Sequence, residues 1–399
     1  MSLLAPLENI AETVAKPESR SVGRLRARSV LRHLTDVKRV RGCGLALGQE
    51  MRLRGSEGSG GVSGGVTGLA TCGSVWVCPV CASKIALTRT NDLEAGIRHW
   101  AGHGGSFAML TLTIQHHKGQ GLGMLWDAVS TAWRRFVRDG SATRLRKALG
   151  VNGYHRTTEV TLGANGWHVH LHVLYFVEGS VSDLMGRSHS GALVARWMHS
   201  VEAVGFRAVT DAQDWKVLQG NADALSAVAG YVTKGQYQES SAAKPRGARS
   251  VAMEMTRGDI KETRAKGSRT PFELLADIVD SVTSTGEIPV SDMALWQEWE
   301  RESKGRRQQV WSRGMRARLG LDAELTDEEA AALEVDGTDV IALEASEWKR
   351  ATEADPHFHA DLIAALESGA TLAEGLTFCA DFLVRRGVRF RVVFPGMES

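Results

Sequence analysis

The run GWHVHLHVLYFV, residues 166–177, decides how this chain is read. His168, His170 and His172 alternate with Val169, Leu171 and Val173, the period of two that belongs to a β-strand. Residues two apart on a strand share a face, so the three imidazoles point one way and the aliphatic side chains the other. The outer two histidines would have Cα atoms about 13 Å apart, too far for one cation with ligand bonds near 2.1 Å. An adjacent pair can share one. The expectation is a two-histidine site, either His168/His170 or His170/His172.

The turn before the run supplies a third ligand. Asn165–Gly166 is a strong two-residue hairpin signal, which pairs Ala164 with Trp167, Thr161 with His170 and Glu159 with His172. A four-residue GANG loop instead sets Glu159 opposite His170. Either way Glu159 stands on the histidine face, with opposed Cβ atoms about 5 Å apart. Glu159 is the predicted carboxylate ligand. Three imidazoles on one face with a carboxylate across the turn argue against a strand that is merely rich in histidine.

Around this hairpin the pattern mixes strands and helices. FAMLTLTI (107–114) alternates as a strand, and 122–137 is an amphipathic helix carrying Trp126, Trp133 and Phe136. Helices are predicted over 181–204 and 222–234, with short strands near 206–210 and 215–218. The class is α+β, with a central antiparallel sheet flanked by helices over 101–240. Residues 1–40 form a basic arm, 41–100 a zinc-binding element, 241–320 a basic helical extension and 321–399 an acidic accessory domain. Helices are expected at 271–282 and 293–320. GSEGSGGVSGGVTG (55–68) reads as a flexible insertion.

Four of the five cysteines precede residue 82. Cys78 and Cys81 form the Cys-Pro-Val-Cys knuckle that lets two thiolates share one zinc, and Cys43 and Cys72 complete a tetrahedral set. Four thiolates leave no open position, so this zinc is structural. Cys379 is remote and reads as an ordinary buried residue. Lys84 and Arg89, just beyond the knuckle, are candidates for contacts to the phosphates of a polyanionic partner.

The net charge of +2 over 399 residues conceals an asymmetry. Residues 16–41 hold nine Lys/Arg against two acids, and residues 322–367 hold fourteen acids against two Lys/Arg. A basic body suits a polyanionic partner. The segment 300–320 has seven Lys/Arg, with Trp311 among them and Trp296 and Trp299 upstream. Arg306, Arg307 and Arg313 there suit phosphate contacts and the tryptophans base stacking, or else the helix packs its tryptophans inward. No apolar run reaches the roughly 18–20 residues that span a bilayer, and the start lacks a signal-peptide pattern, so a cytoplasmic protein without membrane contact is expected.

GWHVHLHVLYF resembles the His-hydrophobic-His motif of the HUH endonucleases, above all the rolling-circle Rep proteins of plasmids. The likeness maps best onto His170, His172, Val173 and Leu174. An FxxLTLT-like strand (Phe107, Leu110 to Thr113) precedes it, and a tyrosine segment, GYVTKG with Tyr231 and Lys234, follows it in Rep order. RGCG, TCGSVWVCPVCASK, TPFELLAD and WSRGMRARLG are similar to the actinobacterial branch. The resemblance spans about 40–320 and implies an HUH nickase domain, with Tyr231 as nucleophile and Lys234 beside it. It implies Mg2+ or Mn2+ for catalysis and plasmid origin DNA as substrate, with a host helicase and DNA polymerase as partners. Tyr237 is the alternative nucleophile, while Tyr154 and Tyr175 lie in strands and pack. The sequence departs from relatives that carry a second tyrosine or a glutamate one turn away: Ala227 and Gly235 stand there, leaving Asp223 and Glu239 as the nearby acids. Rival readings are a transposase or mobilisation relaxase of the same chemistry, a non-catalytic zinc-containing DNA-binding regulator, and a metallohydrolase of small substrates.

Overall fold

The computed structural model describes residues 19–58, 60–179, 187–218, 255, 267–334 and 336–393. In chain order the strands are β1 (Glu50–Gly58), β2 (Gly61–Thr67), β3 (Ser106–Thr113), β4 (Val151–Gly163), β5 (Gly166–Val177), β6 (Asp214–Leu218), β7 (Gln309–Trp311), β8 (Thr338–Glu344) and β9 (Arg391–Val392). The helices that follow in the text are α1 (Arg20–Leu34), α2 (Lys38–Arg41), α3 (Pro79–Gly102), α4 (Leu122–Arg138), α5 (Gly140–Ala148), α6 (Arg187–Glu202), α7 (Pro271–Thr285), α8 (Val290–Ser303), α9 (Met315–Arg318) and α10 (Asp327–Ala332). The class is α+β, with antiparallel pairing in both sheets.

The chain forms two compact units. The smaller draws on the described parts of Met1–Arg26, Ala46–Gly68 and Val335–Ser399, and the larger on Ala27–Leu45 and Leu69–Glu334. These units cut across the segments read from composition. In the smaller unit the sheet order is β2-β1-β8-β9. The glycine-rich run 55–68 is therefore no flexible insertion: it closes the β1–β2 hairpin, with Arg54 paired to Gly65 and Gly58 to Gly61. A Cβ at Gly64 would collide with the Arg54 carbonyl, so the close approach of these strands requires glycine. The acidic region 321–399 likewise holds strands as well as helices, since β8 pairs with β1.

The larger unit is built on the sheet β6-β3-β5-β4-β7. On one face Val169, Leu171, Val173 and Tyr175 of β5 join the core formed with α4, α6, α7 and α8. Helix α4 buries Leu125, Trp126, Val129, Trp133 and Phe136, a 3-4 spacing that gives it one apolar stripe. Each such side chain stabilises the fold by roughly 1.5–3 kcal/mol on full burial. Helix α7 opens on a Thr270–Glu273 capping box with Pro271 in its first turn, and ends at Gly286 in the left-handed conformation.

The other face of β5 is divided. Leu174 and Phe176 pack with Leu93 and Ile97 of α3, and with Met315 and Leu319. The three histidines occupy the end of that face nearer the hairpin turn. Two sequence expectations fail in this unit. No helix runs through 293–320: α8 stops at Ser303, Gly305 takes φ +74, and β7 pairs Gln309 and Val310 with Thr157 and Arg156 before α9 begins. Residues 206–209 form no strand and lead into a 3-10 turn at Thr210–Ala212, although Gln115 donates its backbone N–H to the Arg207 carbonyl. No helix among the described residues is long and apolar enough to cross a membrane.

Candidate functional site

The β4–β5 hairpin turns at Ala164–Asn165, with Gly163 paired to Gly166, one position earlier than the Asn-Gly signal suggests. Gly166 takes φ +84, a left-handed conformation that glycine adopts without strain. The register therefore shifts by two, and Glu159 faces His170 while Thr157 faces His172. This is the pairing of the four-residue-loop alternative. Parity is preserved, so the carboxylate stays on the histidine face.

Glu159 Oε2 lies 3.3 Å from His170 Nε2 and 3.0 Å from His172 Nε2. One donor atom from each of these residues falls within 4.8 Å of the others, a spacing that suits one divalent cation. Of the two pairs left open by the sequence, the structure groups His170 with His172. His172 Nδ1 lies 3.1 Å from Thr111 Oγ1 on the paired strand. With Thr111 accepting the Nδ1 proton, the Nε2 lone pair is left to face the shared position beside Glu159. His170 Nδ1 is buried without a hydrogen-bond partner among the described residues.

His168 is engaged elsewhere. Its Nε2 lies 2.5 Å from Thr113 Oγ1, and its ring stacks on His116 with centroids 5.0 Å apart. Burial, with the neighbouring His170 charge adding, pulls its pKa down to about 3. In the sequence Thr111 and Thr113 stand only as part of the FxxLTLT-like strand; in the structure their hydroxyls meet His172 and His168. Their alternation with Leu110 and Leu112 carried the signal, since it puts both on the histidine face.

The four early cysteines converge in the larger unit. Cys78 caps α3 and Cys81 lies in its first turn, with Pro79 at the helix start. Gly44 N–H donates to the Ala70 carbonyl, which draws the Cys43 and Cys72 loops together. Cys43 and Cys72 Sγ each lie 3.6 Å from Cys81 Sγ, and Cys78 Sγ lies 3.7 Å from Cys43 Sγ. Sulfurs at the corners of a tetrahedron with 2.3 Å zinc bonds stand about 3.8 Å apart. All four are buried, and their spacing far exceeds a disulfide bond. Cys379 is buried apart from them, donating to the Leu362 carbonyl, and burial pushes its thiol up to about 12.

Several residues expected at DNA are half-buried and bonded to other parts of the protein. Lys84 Nζ donates to the carbonyls of Ala331 and Leu333 at the end of α10, and Arg89 pairs with Asp327 at its start. Those two cations clamp one short helix. Arg306 binds Asp127 at 2.8 Å and covers the Trp126 ring at 5.0 Å. Trp296 and Trp299 are buried: Trp299 stacks on Trp126 and Trp167, and its Nε1 donates to the Trp76 carbonyl at 2.8 Å. The inward-packing alternative holds for both. Trp311 is half-buried against His155 and Phe176. Arg307 and Arg313 remain exposed. Tyr231, Lys234, Tyr237, Asp223, Ala227, Gly235 and Glu239 lie outside the described residues.

Comparison with known proteins adds a family. A family model described as Replication protein matches residues 67–308, more than half of the chain. The chain is 30% identical over 309 residues to the Protein rep of Streptomyces lividans, covering 64% of this chain and 65% of that one. It is 27% identical over 144 residues to a Neomycin resistance protein of Streptomyces cyanogenus, covering 30% of this chain and 33% of that one. The chain thus spans less than two thirds of the length of these relatives. No solved structure matches it.

Proposed function

This chain belongs to the replication protein family, and from that membership and the Glu159–His170–His172 group we propose that it initiates rolling-circle replication of a plasmid by nicking origin DNA. The observation that carries the reading is the convergence of two imidazole nitrogens and one carboxylate on one sheet face, inside the family-matched region.

A Mg2+ or Mn2+ ion held by Glu159, His170 and His172 would draw charge from the scissile phosphate. Tyr231 supplies the nucleophile. Its phenolic oxygen forms a bond to phosphorus as the bond to the 3′ oxygen breaks, leaving a 5′-phosphotyrosine and a free 3′-hydroxyl. Tyrosine is a weak nucleophile at neutral pH because its ordinary pKa is about 10, and Lys234 favours the phenolate by charge. The covalent link conserves the phosphodiester for rejoining. Host helicase and polymerase act on the opened strand. The HUH arrangement of motifs is part of this proposal, and the four-cysteine group serves as a structural zinc site that braces the start of α3.

Incubating the full chain with single-stranded fragments of its plasmid, with and without Mn2+, tests the reading. A cation-dependent nick at one position supports it, and cutting that ignores the cation contradicts it.

A further inference from the structure

Residues 128–149 hold six Lys/Arg and one acid, a concentration that the motif reading does not use. They cover the last turns of α4 and all of α5. Arg134, Arg135 and Arg138, with Thr131, Asp139, His199 and Ser200, line a hollow of about 550 Å³ between α4 and α6. Its single lining carboxylate is occupied. Asp139 accepts from the Ala142 N–H at 2.6 Å and caps α5, and this bond first, with Arg196 adding, holds it below the usual carboxylate range.

The cations differ in how they are engaged. Arg134 donates to Thr131 Oγ1 at 2.9 Å, and Arg146 donates to the Val137 carbonyl at 2.8 Å while covering Phe136. Arg135 and Arg138 are exposed and make no side-chain bond among the described residues. Guanidinium groups crowded on one helix repel each other unless an anion joins them, and two parallel N–H donors suit a phosphate. Among the described residues no Phe, Tyr or Trp lines the hollow, and its three arginines make it a surface for phosphate contacts. The apolar stripe of α4 packs on the sheet face opposite the histidines.

We propose that this hollow is a second DNA-contact surface, which grips the backbone of duplex DNA across the sheet from the Glu159–His170–His172 group. The inference rests on the proposed function only for naming the polyanion as DNA.

The test is the salt dependence of duplex binding by the full chain, read by fluorescence anisotropy on a 30-base-pair fragment of arbitrary sequence. Each phosphate contact contributes about −0.9 to the slope of log K against log salt. Arg135→Ala with Arg138→Ala should flatten the slope by about 1.8 and weaken binding on the order of tenfold or more at moderate salt. Replacing both with Lys should restore the slope, since a phosphate contact needs charge, and the melting temperature should stay constant in both variants. An unchanged slope, or a wild-type chain without duplex affinity, overturns the proposal. Competition by poly-glutamate at equal charge concentration would reassign the surface to an acidic protein. A flattened slope in a chain that never nicks single-stranded DNA would leave the hollow standing and remove the proposed function instead.

Discussion

Glu159 Oε2 lies closer to His172 Nε2, at 3.0 Å, than to the nitrogen of His170, its directly opposed partner in the ladder. The carboxylate reaches diagonally along the face, and that reach draws the two imidazoles toward a common point.

Removing either nitrogen of the pair should therefore disable cation-dependent nicking. His170→Ala and His172→Ala are each expected to lower the rate by at least ~100-fold while DNA binding persists. Glu159→Ala should raise the cation concentration needed for half-maximal rate. His168→Ala should cost much less, because its Nε2 is directed at Thr113. Thr111→Val should raise the cation requirement about tenfold, with Thr111→Ser restoring it, if the hydroxyl fixes the His172 ring. A His168→Ala loss as deep as that of His172→Ala would place the cation on the wrong pair.

The sulfur tetrahedron makes a claim about composition. Purified protein should hold about one zinc per chain by elemental analysis, resistant to mild chelation. Cys78→Ser or Cys81→Ser should lower both the zinc content and the melting temperature, because binding of a structural zinc is coupled to folding. Zinc-free protein with an unchanged melting temperature would refute the site.

A buried histidine away from both groups gives a pH dependence. His155 is fully buried on β4, its Nε2 lies 3.2 Å from Gln309 Oε1, and burial lowers its pKa from 6.5 to about 3. The unfolded chain therefore binds a proton below pH 6.5 that the folded chain refuses. The stability tied to the neutral ring is fully present above pH 6.5, falls as pH drops, and is lost near pH 3. Urea unfolding should show wild type losing stability relative to His155→Gln by a few kcal/mol between pH 7 and pH 4. Parallel curves for the two proteins would contradict a neutral buried ring.

Much of this fold was legible because alternation survives small errors of register. The turn slipped by one residue and the pairing by two, yet Glu159 kept its face, since strand parity repeats every two residues. The cysteine group was legible from spacing alone. Other features depended on distant partners that local pattern does not encode. Glycines at 55–68 read as a linker, but they allow β1 and β2 to approach and pair. Arginines at 306 and 89 read as phosphate contacts, but each also pairs with an acid far along the chain, Asp127 and Asp327. The tryptophans of α8 carried both readings until Trp76, Trp126 and Trp167 were found around Trp299.

The central claim is that Tyr231 becomes covalently joined to DNA, and one measurement tests it directly. Protein is mixed with Mn2+ and a single-stranded origin oligonucleotide labelled on the 3′ side of the nick, then digested and mapped by mass spectrometry. The account predicts that the label moves to the protein, because the enzyme keeps the 5′-phosphate, and that it resides on the peptide containing Ala229, Gly230 and Tyr231. Tyr231→Phe should still bind the oligonucleotide and form no adduct, whereas Lys234→Ala should form it slowly. An adduct that persists in Tyr231→Phe would move the role to another residue, Tyr237 first, and the absence of any adduct from wild-type protein that cuts the strand would contradict the tyrosine mechanism.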